Sequence, residues 1–110
     1  MLNFPPQNIV CLTEETVETL YLLGEQKRIV GVTGYAVRPK NVRKEKPRVG
    51  SFVSANIKKI KDLKPDLILT FSDVQANLTK QLILEGFNVI CFNQQSISEI
   101  LSMIKYLGSL

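Results

Sequence analysis

Four short apolar runs constrain this fold more than any other feature of the chain: Asn8–Leu12 (Asn-Ile-Val-Cys-Leu), Ile29–Val32, Leu67–Thr70 and Asn88–Phe92. A strand with one wet face alternates apolar and polar side chains. These runs do not alternate, so both faces of each predicted strand need cover. The cover lies between them. Thr13 offers an N-cap with Glu14 and Glu15 in the first turn, where acids complement the helix dipole. Val17, Leu20, Tyr21 and Leu23 follow at helical spacing, and Gly24 ends the segment. Ser54 or Asn56 caps a brief helix carrying Ile57, Ile60 and Leu63, which stops before Pro65. Ser72 or Asp73 caps the next, with Val74, Leu78 and Leu82 on one face and Gly86 at its end. Ser96 and Glu99 form a capping box for a last helix through Ile97, Ile100, Leu101, Ile104 and Leu107, with Gly108 as its C-cap. Arg48-Val49-Gly50 is a further, short strand candidate.

Strands that alternate with amphipathic helices describe a parallel sheet covered on both sides. The expected fold class is α/β: a Rossmann-like three-layer sandwich with a mainly parallel sheet of four to five strands. All 110 residues fit one lobe. In such sheets ligands sit beyond the carboxyl ends of the strands. Those ends fall at 13–15, 33–38, 50–53, 70–73 and 93–95.

Composition narrows the chemistry. The chain has no His and two Cys, which removes zinc-finger sets and any nucleophile–His pair supplied by this chain alone. Neither a Gly-x-Gly-x-x-Gly turn nor a phosphate-binding Gly-x-x-x-x-Gly-Lys motif is present. Glu14, Glu15 and Asp73 read as helix N-terminal acids rather than a general acid–base pair. Cys11 and Cys91 each sit inside an apolar strand and read as inert core thiols. Composition and motifs point away from an enzyme.

The net charge of +4 is local. Arg38, Lys40, Arg43, Lys44, Lys46 and Arg48 face a single acid, Glu45, so this stretch carries +5 and the remainder of the chain −1. A nucleic-acid surface spreads its cations and interleaves aromatics, whereas one charged loop reads first as a solvated face. An alternative function, binding a nucleotide or RNA through the basic loop 38–48, stays open on these residues. The stretch from Thr33 to Phe52 holds two prolines and few apolar anchors and is expected to be mobile and close to the ligand. Tyr35 and Phe52 lie on strand-end loops where a core does not need aromatics.

Several blocks resemble one family. Ile9-Val10-Cys11-Leu12-Thr13-Glu14-Glu15-Thr16-Val17 through Leu23-Gly24, Arg28-Ile29-Val30-Gly31-Val32-Thr33-Gly34-Tyr35, Pro47-Arg48-Val49-Gly50-Ser51-Phe52, Asn56-Ile57 and Leu63-Lys64-Pro65-Asp66-Leu67-Ile68-Leu69 follow in order across nearly the whole chain. Together they resemble the substrate-binding proteins of ABC importers for cobalamin and iron-siderophores. The resemblance implies a two-lobed protein with its ligand clamped between lobes, of which residues 1–110 are the N-terminal lobe without the connecting helix or second lobe. It implies a metal chelate as ligand, cobalamin or a ferric siderophore, with no covalently bound cofactor and no metal held by the protein itself. Carried over residue by residue, the ligand-facing positions are Thr13, Glu14, Tyr35, Ala36, Ser51, Phe52, Phe71 and Ser72. An isolated lobe offers one wall of a cleft, so weak binding or a homodimer is expected.

The resemblance also implies an ABC permease as partner, docked through an acid that follows the Asn-hydrophobic pair. Here Asn56-Ile57 is followed by Lys58, a charge reversal that argues against acid-mediated docking. Location follows the same divide. The resemblance implies the periplasm. Met1-Leu2-Asn3-Phe4-Pro5-Pro6 lacks the basic and apolar regions of a signal peptide, so a native start at Met1 would imply the cytoplasm. No apolar run reaches the roughly 18 residues of a transmembrane segment.

Overall fold

The computed structural model describes residues 6–34, 42–50, 55–71, 75–92, 105, 108 and 109; at 43 and 44 it describes the backbone alone. The chain runs β1 (Ile9–Cys11), α1 (Glu14–Leu22), a 3-10 turn (Gln26–Arg28), β2 (Ile29–Val32), α2 (Val42–Glu45), α3 (Ile57–Leu63), β3 (Leu67–Phe71), α4 (Ala76–Leu84) and β4 (Val89–Phe92). All four strands are parallel, in the order β2-β1-β3-β4.

That order, taken with crossover handedness, fixes which face each helix covers. A crossover between parallel strands is right-handed, so the direction of travel across the sheet selects the face on which the connecting helix lies. The step from β1 to β2 goes one way, and the steps from β2 to β3 and β3 to β4 go the other. Accordingly Val17 and Leu20 of α1, with Val42 of α2, pack on Ile9, Cys11, Ile29, Val32, Leu67 and Leu69. Ile60 of α3 and Leu78 and Leu82 of α4 pack with Val10, Leu12 and Ile68 on the opposite face. The non-alternating sequence of β1 and β3 is thereby explained: odd and even residues serve two different cores. The three-layer α/β expectation holds.

Local chemistry sets the element ends. Thr13 caps α1, its hydroxyl accepting from Thr16 N–H at 3.4 Å, and Gly24 leaves the helix at φ +74°. Asn56 caps α3 by accepting from Lys59 N–H at 3.0 Å. At the amino ends of the central strands, the Asp66 carboxylate accepts from Gln7 N–H and Asn8 N–H, both at 2.9 Å. Asp66 N–H returns a bond to Asn8 O at 2.9 Å. The Pro65-Asp66 pair thus closes the start of β3 onto the start of β1.

Several sequence expectations need correction. Arg48-Val49-Gly50 is not a strand: it makes two isolated bridges, Val32 with Arg48 and Gly50 with Ala55, because Val49 alone turns into the core. Within the stretch expected to be mobile, residues 42–50 are tied down by buried Val42 and Val49. Cys91 is exposed rather than a core thiol, since β4 takes an end of the sheet and its four residues are only partly covered. Gly108 and Ser109 are helical, so Gly108 does not cap the last helix. Ser72, Asp73, Ser54 and the Ser96–Glu99 capping box lie outside the described residues; the residue before α4 is Gln75, which gives it no side-chain cap.

Candidate ligand site at the strand ends

The order of the strands reverses between β1 and β3, and this is where a crevice opens in a doubly wound sheet. Thr13 and Glu14 follow β1; Phe71 ends β3. The structure brings these two ends side by side. Leu12 N–H donates to Leu69 O at 2.9 Å, and Thr33 N–H, past the end of β2, donates to Cys11 O at 2.9 Å. Thr13 is buried, and its hydroxyl is used in the cap: Thr16 Oγ1 donates to Thr13 O at 3.0 Å and lies 2.9 Å from Thr13 Oγ1. Glu14 and Phe71 are half-buried.

Tyr35, Ala36, Ser51, Phe52 and Ser72 lie outside the described residues, as does the strand end at 93–95. The backbone that launches the first four is described. Gly34 N–H donates to Gly50 O at 2.6 Å, and a Cβ on Gly34 would meet that oxygen at 2.9 Å. Only glycine permits this approach without displacing backbone. It joins the residues immediately before Tyr35 and before Ser51. Gly31 lets α3 close on β2 in the same way, since a Cβ there would meet Leu63 Cδ1 at 2.9 Å and Val49 Cγ1 at 3.1 Å.

Sequence reasoning missed Gln75. It is fully buried, accepts from Phe71 N–H through Oε1 at 2.7 Å and donates through Nε2 to Leu12 O at 3.1 Å. A lone amide at the start of an amphipathic helix carries no local signal for a partner 63 residues away. The Thr70 and Thr79 hydroxyls, 2.8 Å apart, add a second polar link between β3 and α4.

The basic segment proves partly structural. Lys46 Nζ donates to Gln26 O at 2.7 Å and Ile29 O at 2.8 Å, and burial pulls its pKa down. Glu45 accepts from the Tyr21 hydroxyl at 2.7 Å; burial first, then the Glu45 bond and charge, push the Tyr21 pKa up. Lys46 is therefore committed to the fold, not offered to a phosphate backbone. Arg38 and Lys40 lie outside the described residues, and nothing is described of the Arg43 and Lys44 side chains. Cys11, buried beneath α1, has its thiol pushed up to about 12 by burial, with the Thr16 bond and the Lys46 charge opposing. An open apolar depression of about 370 Å³ lies between α4 and β4; among the described residues it is lined by Ala76, Thr79, Lys80, Ile83, Leu84 and Cys91, and not by Thr13, Glu14 or Phe71. Among the described residues no three His, Cys, Asp or Glu gather to hold a metal ion, and no helix is long and apolar enough to cross a membrane.

Lys58 and Lys59 are exposed in the first turn of α3, and Lys61 pairs with Glu85 of the loop after α4 at 2.9 Å. Ile57, Ile60 and Leu63 take the covered side of the helix.

The four-stranded parallel sheet, its order reversing between β1 and β3, is the α/β architecture of periplasmic-binding-protein lobes. Residues 9–110 match the family model described as periplasmic binding protein. The chain belongs to that family. It is 36% identical over 107 residues to YvrC of Bacillus subtilis (strain 168), an uncharacterized ABC transporter substrate-binding lipoprotein, covering 94% of this chain and 33% of that protein. It is similar to the periplasmic vitamin B12 binding protein BtuF of Vibrio cholerae, with a TM-score of 0.85 and 29% identity over 97% of this chain and 42% of that one. A periplasmic heme binding protein from Pseudomonas aeruginosa matches with a TM-score of 0.81 and 25% identity over 94% and 38%. The chain spans about a third of the curated relative and about two fifths of these solved ones.

Proposed function

We propose that this chain supplies one wall of the ligand cleft of an ABC importer's substrate-binding protein, as its N-terminal lobe, and that it binds a metal chelate without transforming it. The observation that carries the reading is the match to the vitamin B12 binding protein over 97% of the chain at a TM-score of 0.85, with the crevice falling where its own strand order reverses. Cobalamin, haem and ferric siderophores are the chelates to consider. All are large and flat or globular, with much surface to enclose, which suits a cleft closed by a second wall. Glu14, Tyr35, Ala36, Ser51, Phe52, Phe71 and Ser72 contact the ligand, while Thr13 supports the loop from below. The same reading gives the protein an extracytoplasmic location and a permease partner, with Lys58 at the docking position.

The test is a ligand panel followed by thermal unfolding: cyanocobalamin, haemin, ferric enterobactin and ATP. A ligand at a hundredfold excess over its Kd stabilises the folded state by about 2.7 kcal/mol. A rise in unfolding midpoint with one of the chelates, weakly dependent on salt, is expected. Stabilisation by ATP alone, falling steeply with salt, would transfer the function to the basic segment.

A further inference from the structure

We propose that Gln75 is a positioning residue for the cleft: its side-chain amide is inserted into the β1–β3 ladder and holds the two strand ends apart where the ligand enters. The proposal deepens the binding reading above and rests on it for its ligand arm alone.

In a parallel pair the ladder bonds are evenly spaced, each alternate residue of a strand donating to and accepting from the two residues that flank its partner. Leu12 N–H donates to Leu69 O. The next bond of that series runs from Phe71 N–H to Leu12 O. It is replaced: Phe71 N–H donates to Gln75 Oε1, and Gln75 Nε2 donates to Leu12 O. A carboxamide carries acceptor and donor on one plane, so it relays the missing bond as an inserted peptide unit would. Phe71 N and Leu12 O are thereby spaced by the width of an amide, and the strands splay at the switch point.

The placement costs α4 a side-chain cap, because the Gln75 side chain turns to the sheet instead. It also obliges the chain to bury an amide fully, which holds only while its partners stay in place. Thr13 follows Leu12 and Ser72 follows Phe71, so one side chain fixes the launch of two segments assigned to the ligand while touching no ligand itself.

The experiment compares Gln75→Leu and Gln75→Asn with Asp66→Asn, in the protein at its native length, by amide hydrogen exchange and by titration with haemin and cyanocobalamin. Leucine fills the space and cannot relay the bond; asparagine is one methylene too short to reach both partners, and serves if the leucine variant fails to fold. Exchange at the Phe71 amide should speed about tenfold or more, with Ile68 unchanged, and affinity for whichever probe binds should fall about tenfold. Asp66→Asn, at the other ends of the same strands, should leave probe affinity unaltered. Unchanged Phe71 exchange overturns the proposal, as does faster exchange with full probe affinity. If neither probe binds the unaltered protein, the chelate reading fails, and the exchange result still decides the insertion.

Discussion

Asp66→Asn is the most direct test of how the sheet is held together. Asp66 is 7% exposed, and each carboxylate oxygen accepts one backbone N–H, from Gln7 and Asn8, at 2.9 Å. Hydrogen bonds to a charged acceptor contribute about 1.5–3 kcal/mol each. Asparagine keeps one acceptor, now neutral, and points its NH2 at the second N–H, so one bond weakens and a part-buried donor loses its partner. The expected cost is about 2–4 kcal/mol, a large share of the roughly 5–15 kcal/mol that stabilises a domain. With a urea slope of about 2 kcal/mol/M for a small domain, the midpoint should fall by about 1–2 M at unchanged slope. Exchange at the Gln7 and Asn8 amides should quicken more than exchange at Leu69. A midpoint shift below about 0.3 M, with those amides still protected, would refute the role given to the carboxylate.

Other outcomes are equally specific. Gly34→Ala sets a Cβ 2.9 Å from Gly50 O, so it should destabilise by about 1–3 kcal/mol and weaken chelate binding, read by denaturation and titration on the same sample. Cys11 has its thiol raised from 9.0 to about 12; the native state keeps a proton that the unfolded chain releases, so stability falls by up to about 1.4 kcal/mol per pH unit above pH 9. The raised Tyr21 adds to that loss and the lowered Lys46 opposes it. Cys11→Val should flatten the alkaline limb, and an unchanged limb would discard the assignment. A thiol reagent at neutral pH should label exposed Cys91 quickly and buried Cys11 only on unfolding; rapid reaction of both would contradict the packing. Lys58→Glu should strengthen association with a permease of this importer class in a low-salt pull-down, because an acid there gains a charge-assisted bond; no change would leave Lys58 a solvated side chain.

What was legible in the sequence was whatever is encoded by neighbours. Ile29–Val32 forms the predicted strand residue for residue, and Thr13, Glu14 and Glu15 begin a helix as their capping chemistry requires. Asn56 rather than Ser54 provides the α3 cap. What escaped was encoded across distance. Lys46 looked like one cation of a solvated run because the carbonyls that bind it belong to Gln26 and Ile29. Val42 has polar neighbours on both sides in the sequence, yet it joins the core with Val17, Leu20 and Val32. Cys91 shared its apolar context with Cys11, but a strand at the end of the sheet does not receive the cover a central one does. The loops of the candidate site were found from the strand ends, whereas Gln75 needed the coordinates of both β1 and β3.

The two ends of the β1–β3 pair receive opposite treatment, and that asymmetry separates stability from binding. At the amino ends the Asp66 carboxylate, just before β3, accepts from two N–H groups just before β1, so the pair is pulled tight. At the carboxyl ends an amide is fed between the strands and the pair is spread. Both side chains are buried, so neither is replaceable by water. A tight base limits the loss of sheet stability caused by spreading the tip, since the bonds of β1 with β3 below Leu12 still form a regular ladder. Substitutions near Asp66 should therefore move the unfolding midpoint with little effect on ligand, and substitutions near Gln75 should move affinity more than midpoint. The Gly34–Gly50 contact belongs to the second group by position, because it sits past the end of β2 and joins the residues that precede Tyr35 and Ser51 in the chain. A sheet fastened at one edge and opened at the other can change its ligand by altering the loops beyond the amide, while the same carboxylate continues to hold the fold.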